Sequence, residues 1–300
     1  MTVLVIGSRG QLGTDLVELC RERGIASAGH DRDTVDIVDP ESVARLFAGT
    51  EPRLVINAAA YTAVDRAEEE SEIAFAVNRD GARHLAEACG ARRIPLFHVS
   101  TDYVFDGASD RPYREDDPVS PLGVYGASKW EGEESVRNSG VDHLIVRVSW
   151  LFGHGGPNFV KTICRLARER EELRVVADQR GGPTPSRDLA IALLDIAARI
   201  VANDAESDAV EWGTYHFAGT PETSWCQFAE AIVDAYRRHE TVAVKRIVPI
   251  STEEYPTPAA RPAYSMLDSA KIGRVFGVPA PSWQRGLERV LVRWAEETDH

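Results

Sequence analysis

The stretch TVLVIGSRGQLG, at residues 2–13, decides the fold. It joins an apolar run to the start of a helical pattern through Gly7, Gly10 and Gly13, which stand at a G-x-x-G-x-x-G spacing. In nucleotide-binding βαβ units, such glycines permit a tight turn, close approach of the backbone to a pyrophosphate and close helix packing. The N-terminus of the following helix offers free N–H groups to the anion. The stretch therefore predicts a dinucleotide site; the alternative is that three glycines simply form a turn.

The N-terminal half of the chain alternates short apolar runs with helical patterns, which is typical of a parallel sheet covered on both faces. Four runs are predicted to be buried strands, at residues 3–6, 54–57, 96–100 and 144–148. Helical spacing of apolar residues predicts helices at 11–23, 71–90 and 125–138. Strands joined by right-handed crossovers give an α/β fold, a Rossmann-like doubly wound parallel sheet.

After Trp150 the pattern becomes less regular and rich in glycine and proline, which indicates a second module. We expect a smaller mixed α/β substrate lobe with helices at 158–170, 187–202, 224–237 and 283–296 and a strand at 213–218. The predicted domains are an NAD(P)-binding Rossmann domain at 1–150 and a mainly substrate-binding lobe at 151–300, from which some segments can return to the first domain. The acidic runs at 68–70 and 204–208 are predicted to be solvated surface.

Composition excludes several classes of function. The 300 residues carry a formal net charge of -13, which opposes nucleic-acid binding because phosphate contacts need lysine and arginine. The chain has no apolar run long enough to span a bilayer and no room for a signal peptide before its first strand, so we expect no membrane contact and a cytoplasmic location. The four cysteines lack the short spacings of zinc sites and are interpreted as buried free thiols.

Asp31 ends the second apolar run, about twenty residues after the glycines, where an acid accepts hydrogen bonds from the adenosine ribose of NAD. Arg32 stands beside it and is suited to the 2′-phosphate of NADP. The sequence leaves NADH and NADPH open, together with the alternative that both residues belong to a surface loop.

Tyr125 and Lys129 lie four residues apart on one face of a predicted helix, and Lys129 is the only lysine in the first half of the chain. A phenol is a poor acid at neutral pH, but a nearby ammonium favours the phenolate and is expected to draw its pKa toward the working range. We interpret the pair as a proton-transfer device; the alternative is an exposed pair that only packs. Thr101, at the carboxyl end of a predicted parallel strand, places a hydroxyl where ligands bind and could hydrogen-bond a substrate oxygen.

Seven segments together resemble the dTDP-4-dehydrorhamnose reductases, a family of extended short-chain dehydrogenases/reductases, in order and spacing over nearly the whole chain. They are GSRGQLG (7–13), NAAAYTAVDRAE (57–68), STDYVFDG (100–107), YGASKWEGE (125–133), RVSWLFG (147–153), DQRGGPT (178–184) and YPTPAARPAYSMLD (255–268). The resemblance implies NAD(P)H-dependent reduction of the 4-keto group of dTDP-4-dehydro-L-rhamnose to dTDP-L-rhamnose. A nucleotide sugar would then be the substrate.

The resemblance also implies residue roles. Tyr125 would protonate the sugar oxygen, Lys129 would bind the nicotinamide ribose and tune the phenol, and Thr101 would polarise the ketone. Asp102 and Trp150 would contact substrate, and the dinucleotide would be lined by Gly10, Gln11, Leu12, Asp36, Ile37, Ala60, Tyr61 and Thr62. On charge grounds Arg261 is a candidate partner of the diphosphate, with a structural salt bridge as the alternative.

Some members of the family bind magnesium through carboxylates at a homodimer contact. Asp15 matches one such position, but Arg187 stands where another acid is expected, so we predict no metal site and leave a homodimer open. Two other functions stay open. One is another nucleotide-4-keto-sugar reductase or an epimerase, and the other is a non-catalytic regulatory subunit of methionine adenosyltransferase, for which a Thr-Tyr-Lys set would be needless.

Overall fold

The computed structural model describes residues 2–202 and 210–298, so the predicted acidic surface at 204–208 lies outside the described residues. In chain order its strands are β1 (Thr2–Ile6), β2 (Ala26–His30), β3 (Leu54–Asn57), β4 (Leu96–Thr101), β5 (His143–Val148), β6 (Leu151–Phe152), β7 (Glu172–Val176), β8 (Arg180–Gly181), β9 (Thr184–Pro185), β10 (Gly213–Phe217), β11 (Thr223–Ser224) and β12 (Arg246–Ile250). Its helices are α1 (Gln11–Glu22), α2 (Pro40–Ala48), α3 (Val64–Ala67), α4 (Ser71–Phe75), α5 (Gly81–Gly90), α6 (Val124–Asn138), α7 (Phe159–Glu169), α8 (Ser186–Ala202), α9 (Trp225–Tyr236), α10 (Ala270–Phe276) and α11 (Trp283–Thr298).

Six strands form a parallel sheet in the order β10-β5-β4-β3-β1-β2, which confirms the predicted doubly wound fold. At the centre, Ile6 of β1 pairs with His30 of β2 on one side and with Asn57 of β3 on the other. The order of the strands therefore reverses beside β1. Ligands of doubly wound sheets bind in the crevice at such a reversal, at the carboxyl ends of the strands.

The strand expected at 213–218 is one of the segments that return to the first domain from the second half of the chain. β10 pairs in parallel with β5 and forms one edge of the large sheet. Tyr215 and Phe217 are buried in the core that also contains Leu189 and Leu193 of α8, a helix that packs on α1. Alternating apolar residues show that a strand buries one face, but they do not show which sheet it joins.

Two apolar layers sandwich the sheet, and a third core builds the smaller lobe. α1 and α8 cover one face, while α2, α5 and α6 cover the other. In the lobe, α7, α9 and α11 enclose the parallel pair of β7 and β12. Cys20, Cys89, Cys164 and Cys226 are buried within these cores as free thiols, as predicted. None of the described helices combines the length and the apolar content that a bilayer crossing requires.

Candidate active site

The glycine turn brings the carboxyl ends of β1 and β3 together. Gly7 has a φ of 83°, in the left-handed region, and a Cβ there would lie 2.6 Å from the Ala59 backbone nitrogen. A Cβ on Gly13 would overlap the Gly7 carbonyl oxygen, so α1 packs closer to the turn than any side chain permits. Gly10 is the N-cap of α1 and supplies no side-chain cap. The first N–H groups of this helix are therefore available to an anion.

A cavity of about 850 Å³ runs along the strand-order reversal beside this turn. The predicted cofactor residues among its lining are Gly7, Gly10, Asp31, Arg32, Asp36, Ile37, Ala60 and Tyr61. Gln11, Leu12 and Gly13 form the first turn of α1 and are not part of the lining, and Thr62 is exposed. The cavity therefore brings together residues from four separate segments of the first 80 positions.

Arg9 is a cavity residue that the sequence reasoning missed. Its guanidinium lies 2.7 Å from Asp31 through Nε and 2.7 Å from Asp33 through Nη1, and its side chain is 71% exposed. Asp31 also accepts a hydrogen bond of 3.0 Å from the Asp33 N–H. An arginine inside the glycine motif was the available signal, since basic side chains near the adenosine end recognise a 2′-phosphate.

The predicted helix at 71–90 is interrupted by a π-helical turn at Ala76–Asp80, a feature often found at functional sites. The turn carries Asn78, which is 1% exposed. Its Nδ2 donates to the Ser128 hydroxyl (2.9 Å) and to the Tyr61 carbonyl (3.1 Å), and its Oδ1 accepts from the Tyr61 N–H (2.9 Å). Asn78 thus fixes the Tyr61 loop to α6.

Glu68 belongs to the acidic run that was expected to be solvated surface, and this expectation is wrong for it. Its Oε1 accepts a hydrogen bond of 2.9 Å from the Val124 N–H at the first residue of α6. Because a carboxylate at a helix N-terminus also favours the helix dipole, Glu68 fixes the start of the helix that carries Tyr125.

Tyr125 lies in the first turn of α6 and meets Thr101 at the end of β4. Burial raises the pKa of Tyr125 to about 12, the Thr101 hydroxyl lowers it through a hydrogen bond, and Asp102 raises it. The expectation that the Lys129 ammonium brings this pKa down to the working range is therefore wrong. The phenol stays protonated near neutral pH and can act as a proton donor.

Lys129 is buried one turn along α6 from Tyr125, with 2% of its surface exposed. Its Nζ donates to the Val99 carbonyl at 2.7 Å. Burial lowers the pKa of Lys129 to about 8, and the Glu133 carboxylate opposes that change. Glu133 is itself fully buried and pairs with Arg147 at 2.7 Å.

Asp102 faces protein hydroxyls in the site. Its carboxylate, in a residue 2% exposed, accepts from Thr101 Oγ1 and from Ser149 Oγ, each at 3.0 Å. Burial raises the pKa of Asp102 to about 6, against the lowering effect of hydrogen bonds from Ser265, Ser149 and Thr101. Asp102 orients Thr101, and through it Tyr125.

Trp150 and Arg261 were both predicted to contact substrate. Trp150 has a φ of 47° and stacks on Trp225, with ring centroids 3.6 Å apart and planes 10° apart. Arg261 lies 2.9 Å from the Asp65 carboxylate and donates to the Ala259 carbonyl at 3.2 Å. Its side chain is 19% exposed, so the guanidinium is already engaged by a structural salt bridge.

The region around Asp15 does not suit a divalent cation. Asp15 accepts a hydrogen bond from the Ser186 hydroxyl, and Arg187 pairs with Glu18 at 3.0 Å. Arg293 pairs with the same Glu18. Two guanidinium groups beside the candidate ligand disfavour any further positive charge. No cluster of three or more metal-binding side chains occurs within residues 2–202 and 210–298.

Comparisons with known proteins agree on one family. The family model of the RmlD substrate binding domain matches residues 1–295. The dTDP-4-dehydrorhamnose reductase of Aggregatibacter actinomycetemcomitans is 43% identical over 96% of this chain and 97% of the relative. The reductase of Sinorhizobium fredii is 42% identical over 98% of this chain and 97% of the relative.

Solved structures give the same result. The dTDP-4-dehydrorhamnose reductase of Bacillus anthracis, in complex with NADP, superimposes with a TM-score of 0.87 at 38% identity over 97% of this chain and 99% of that chain. The UDP-glucose 4-epimerase of Thermotoga maritima reaches a TM-score of 0.78 at 18% identity over 99% of this chain and 100% of that chain. The second likeness concerns the fold alone.

Proposed function

The chain belongs to the RmlD substrate binding domain family of dTDP-4-dehydrorhamnose reductases, and from this premise we propose that it reduces the 4-keto group of dTDP-4-dehydro-L-rhamnose to give dTDP-L-rhamnose. It is an NAD(P)H-dependent oxidoreductase. The observation that carries the mechanism is the hydrogen bond between the buried Tyr125 phenol and Thr101 at the carboxyl end of β4.

The cavity fits a dinucleotide. A Cβ on Gly7 or Gly13 would clash with neighbouring backbone, so both glycines are needed for the tight turn, and the uncapped start of α1 presents N–H groups to a pyrophosphate. The related structure from Bacillus anthracis contains NADP. When bound, the reduced nicotinamide supplies the hydride that turns the ketone carbon into an alcohol carbon. For the adenosine end we propose Asp31 and Arg32, together with Arg9, as the contacts.

The chain supplies the proton. Tyr125 would donate its phenolic proton to the ketone oxygen as negative charge develops there. The Thr101 hydroxyl donates its single proton to Asp102 in the free enzyme; when the substrate binds, that proton would turn to the ketone oxygen and so polarise the ketone. Asp102 holds Thr101 in place, and Lys129 would bind the nicotinamide ribose. Trp150 would form an apolar wall for the sugar nucleotide.

Turnover with the proposed substrate tests this function. Loss of nicotinamide absorbance is followed with NADH and with NADPH for the wild type, Tyr125→Phe and the matched control Tyr236→Phe in the smaller lobe. We expect Tyr125→Phe to lower kcat by at least about 100-fold, as loss of a general acid usually does, while dinucleotide binding is kept. Near-normal turnover by this variant would contradict the role of Tyr125.

Failure of the wild type with both cofactors, despite tight dinucleotide binding, would move the assignment to another keto sugar. The comparison of NADH and NADPH also decides the preferred cofactor. A cytoplasmic location and a homodimer stay predictions.

A further inference from the structure

A buried chain of polar side chains connects the end of β3 to Lys129. Besides its bond to the Val99 carbonyl, the Nζ of Lys129 lies 3.5 Å from the Nε2 of His98. The Nδ1 of His98 lies 3.1 Å from the Nδ2 of Asn57. His98 and Asn57 are each 1% exposed, so these contacts are shielded from water. None of the roles assigned so far uses His98 or Asn57.

The backbone fixes the orientation of the Asn57 amide. Its Oδ1 accepts a hydrogen bond of 3.1 Å from the Ala59 N–H, in the same close approach that requires Gly7. The Nδ2 of Asn57 must therefore face His98. Because an amide NH₂ only donates, the Nδ1 of His98 must accept.

This contact determines the tautomer of the imidazole. Burial lowers the pKa of His98 well below its usual value, and the positive charge of Lys129 lowers it further, so the ring is neutral. A neutral imidazole carries one proton, and with Nδ1 as acceptor that proton is on Nε2. The N–H of His98 therefore points at the Nζ of Lys129.

The Nε2–H of His98 faces the Lys129 nitrogen and disfavours its ammonium form, because two N–H donors then face each other. An ammonium group has three N–H donors and no acceptor, whereas a neutral amine has a lone pair that can accept the Nε2–H. We propose that Asn57 and His98 are positioning residues that hold an N–H donor against the Lys129 nitrogen and so favour neutral Lys129 in the cofactor-free enzyme.

The other charged groups around Lys129 do not override the effect of His98 on its protonation. Glu133, one turn along the same helix, favours the ammonium, but its carboxylate is shared by Arg147 of β5 at 2.7 Å and by Arg137 at 2.6 Å. From the end of β4, the Asp102 carboxyl is directed toward hydroxyl groups. Burial adds to the effect of His98 by lowering the pKa of Lys129 to about 8.

The consequence concerns the direction of the reaction and rests on the proposed function. Because its pKa is lowered to about 8, Lys129 carries less positive charge than an ordinary lysine and promotes loss of the Tyr125 proton less, so the resting site holds the acid that reduction of a ketone requires. Once the phenol has given up its proton, the ammonium form would stabilise the phenolate left behind.

The tautomer is measured directly on the cofactor-free wild type by long-range nitrogen–proton NMR correlation, with His98→Gln to identify the signal. We expect protonation at Nε2, and protonation at Nδ1 would overturn the proposal. Asn57→Asp replaces the donor with an acceptor of the same shape and should move the proton to Nδ1. Once the His98 signal is assigned, the wild-type spectrum decides the tautomer, so the test does not depend on the stability of Asn57→Asp.

The effect on Lys129 is measured by the pH profile of kcat/KM for the dinucleotide, which reports groups of the cofactor-free enzyme. We expect a wild-type inflection near pH 8 and, in Asn57→Asp, an inflection higher by about one unit, which corresponds to about 1.4 kcal/mol. A shift in Asn57→Asp has two possible causes, the added negative charge and the changed tautomer of His98. The double variant Asn57→Asp with His98→Gln lacks the imidazole, so any shift that it still shows comes from the added charge.

An unchanged inflection in Asn57→Asp, or the same shift with and without His98, would overturn the role of this pair. His239→Gln, at an exposed position of the smaller lobe, is the matched control and should leave the profile unchanged. Absence of turnover would instead contradict the proposed function, while the NMR measurement would still decide the tautomer.

Discussion

Replacing Asp102 by asparagine should make the protein more stable and less active. The carboxylate is buried among hydroxyl groups, and its pKa rises from an ordinary value of 3.8 to about 6 because burial penalises the charge. Asparagine has the same shape, carries no charge, and can keep bonds to Thr101 and Ser149 because hydroxyl groups can reverse their donor role. The variant thus resembles the protonated wild type at every pH.

The size and the sign of the effect follow from linkage. Between about pH 4 and pH 6 the folded protein keeps a proton on Asp102 that the unfolded chain has released, so the wild type loses stability as pH rises through this window. At roughly 1.4 kcal/mol for each pH unit, the loss is complete above about pH 6 and amounts to about 3 kcal/mol. Asp102→Asn avoids it.

The assay is thermal unfolding of wild type and variant in matched buffers from about pH 4.5 to about pH 8. At roughly 2 °C per kcal/mol for a chain of this size, we expect nearly equal Tm values at the acid end and a variant higher by about 6 °C at the alkaline end. A deficit of the variant at alkaline pH would refute the reasoning, because hydrogen bonds to the carboxylate would then outweigh its burial.

Asp106→Asn is a control in which the same substitution should lower the stability of the protein. The Ala108 N–H and the Tyr113 hydroxyl hold the pKa of Asp106 below its usual range, so its carboxylate stabilises the fold once ionised. Because Asp106 is ionised in both the folded and the unfolded chain above its ordinary pKa of 3.8, that variant should be less stable than the wild type by the same amount across the whole assay range. For Asp102→Asn we also expect a lower kcat, since the amide offers one acceptor oxygen where the carboxylate offers two, and one of the Thr101 and Ser149 hydroxyls must reverse its direction.

Three further predictions concern separate parts of the molecule. Glu133→Gln leaves the Arg147 guanidinium, 1% exposed, without its counter-charge and should lower the free energy of unfolding by about 3–5 kcal/mol. An unchanged midpoint of urea unfolding would contradict the pairing. Arg9→Gln should raise the Kd of NADPH by about tenfold or more, as loss of a hydrogen bond to a charged group does, and should barely change the Kd of NADH. Equal weakening of both cofactors would mean that Arg9 does not contact the 2′-phosphate. Gly7→Ala should abolish dinucleotide binding because its Cβ meets the Ala59 backbone. The control Gly24→Ala has a similar φ of 65° but open space around it, so it should bind dinucleotide normally at a stability cost of about 1 kcal/mol. Equal loss of binding in the two variants would mean that backbone strain alone matters.

The sequence predicts those parts of the site that depend on local spacing. The turn at Gly7 follows from one strand and one helix, and the common face of Tyr125 and Lys129 follows from helical geometry. Features that depend on distant partners were missed or misplaced. The strand at 213–218 needed β5 as its neighbour, and Glu68 needed the start of α6.

The protonation states of the site were also beyond the sequence. The expected effect of Lys129 on Tyr125 assumed a charged lysine in contact with a phenol near water. In the structure both groups are buried, and burial determines both pKa values. The apolar run that contains His98 indicated a buried strand, but only the paired strand shows that Asn57 stands beside it.

Trp150 has a consequence for protein engineering. Its left-handed backbone is one that glycine or asparagine adopts at lower cost, yet its ring occupies the space between Trp225 and the bare backbone of Gly181. Relief of that backbone strain by glycine is worth about 1–2 kcal/mol, whereas loss of a packed tryptophan ring costs about 3–5 kcal/mol, so glycine would lower the stability of the protein. A library screened by heat alone would therefore keep tryptophan at position 150 for its packing, and only a screen on turnover can show whether the ring is also the wall that we propose for the sugar nucleotide.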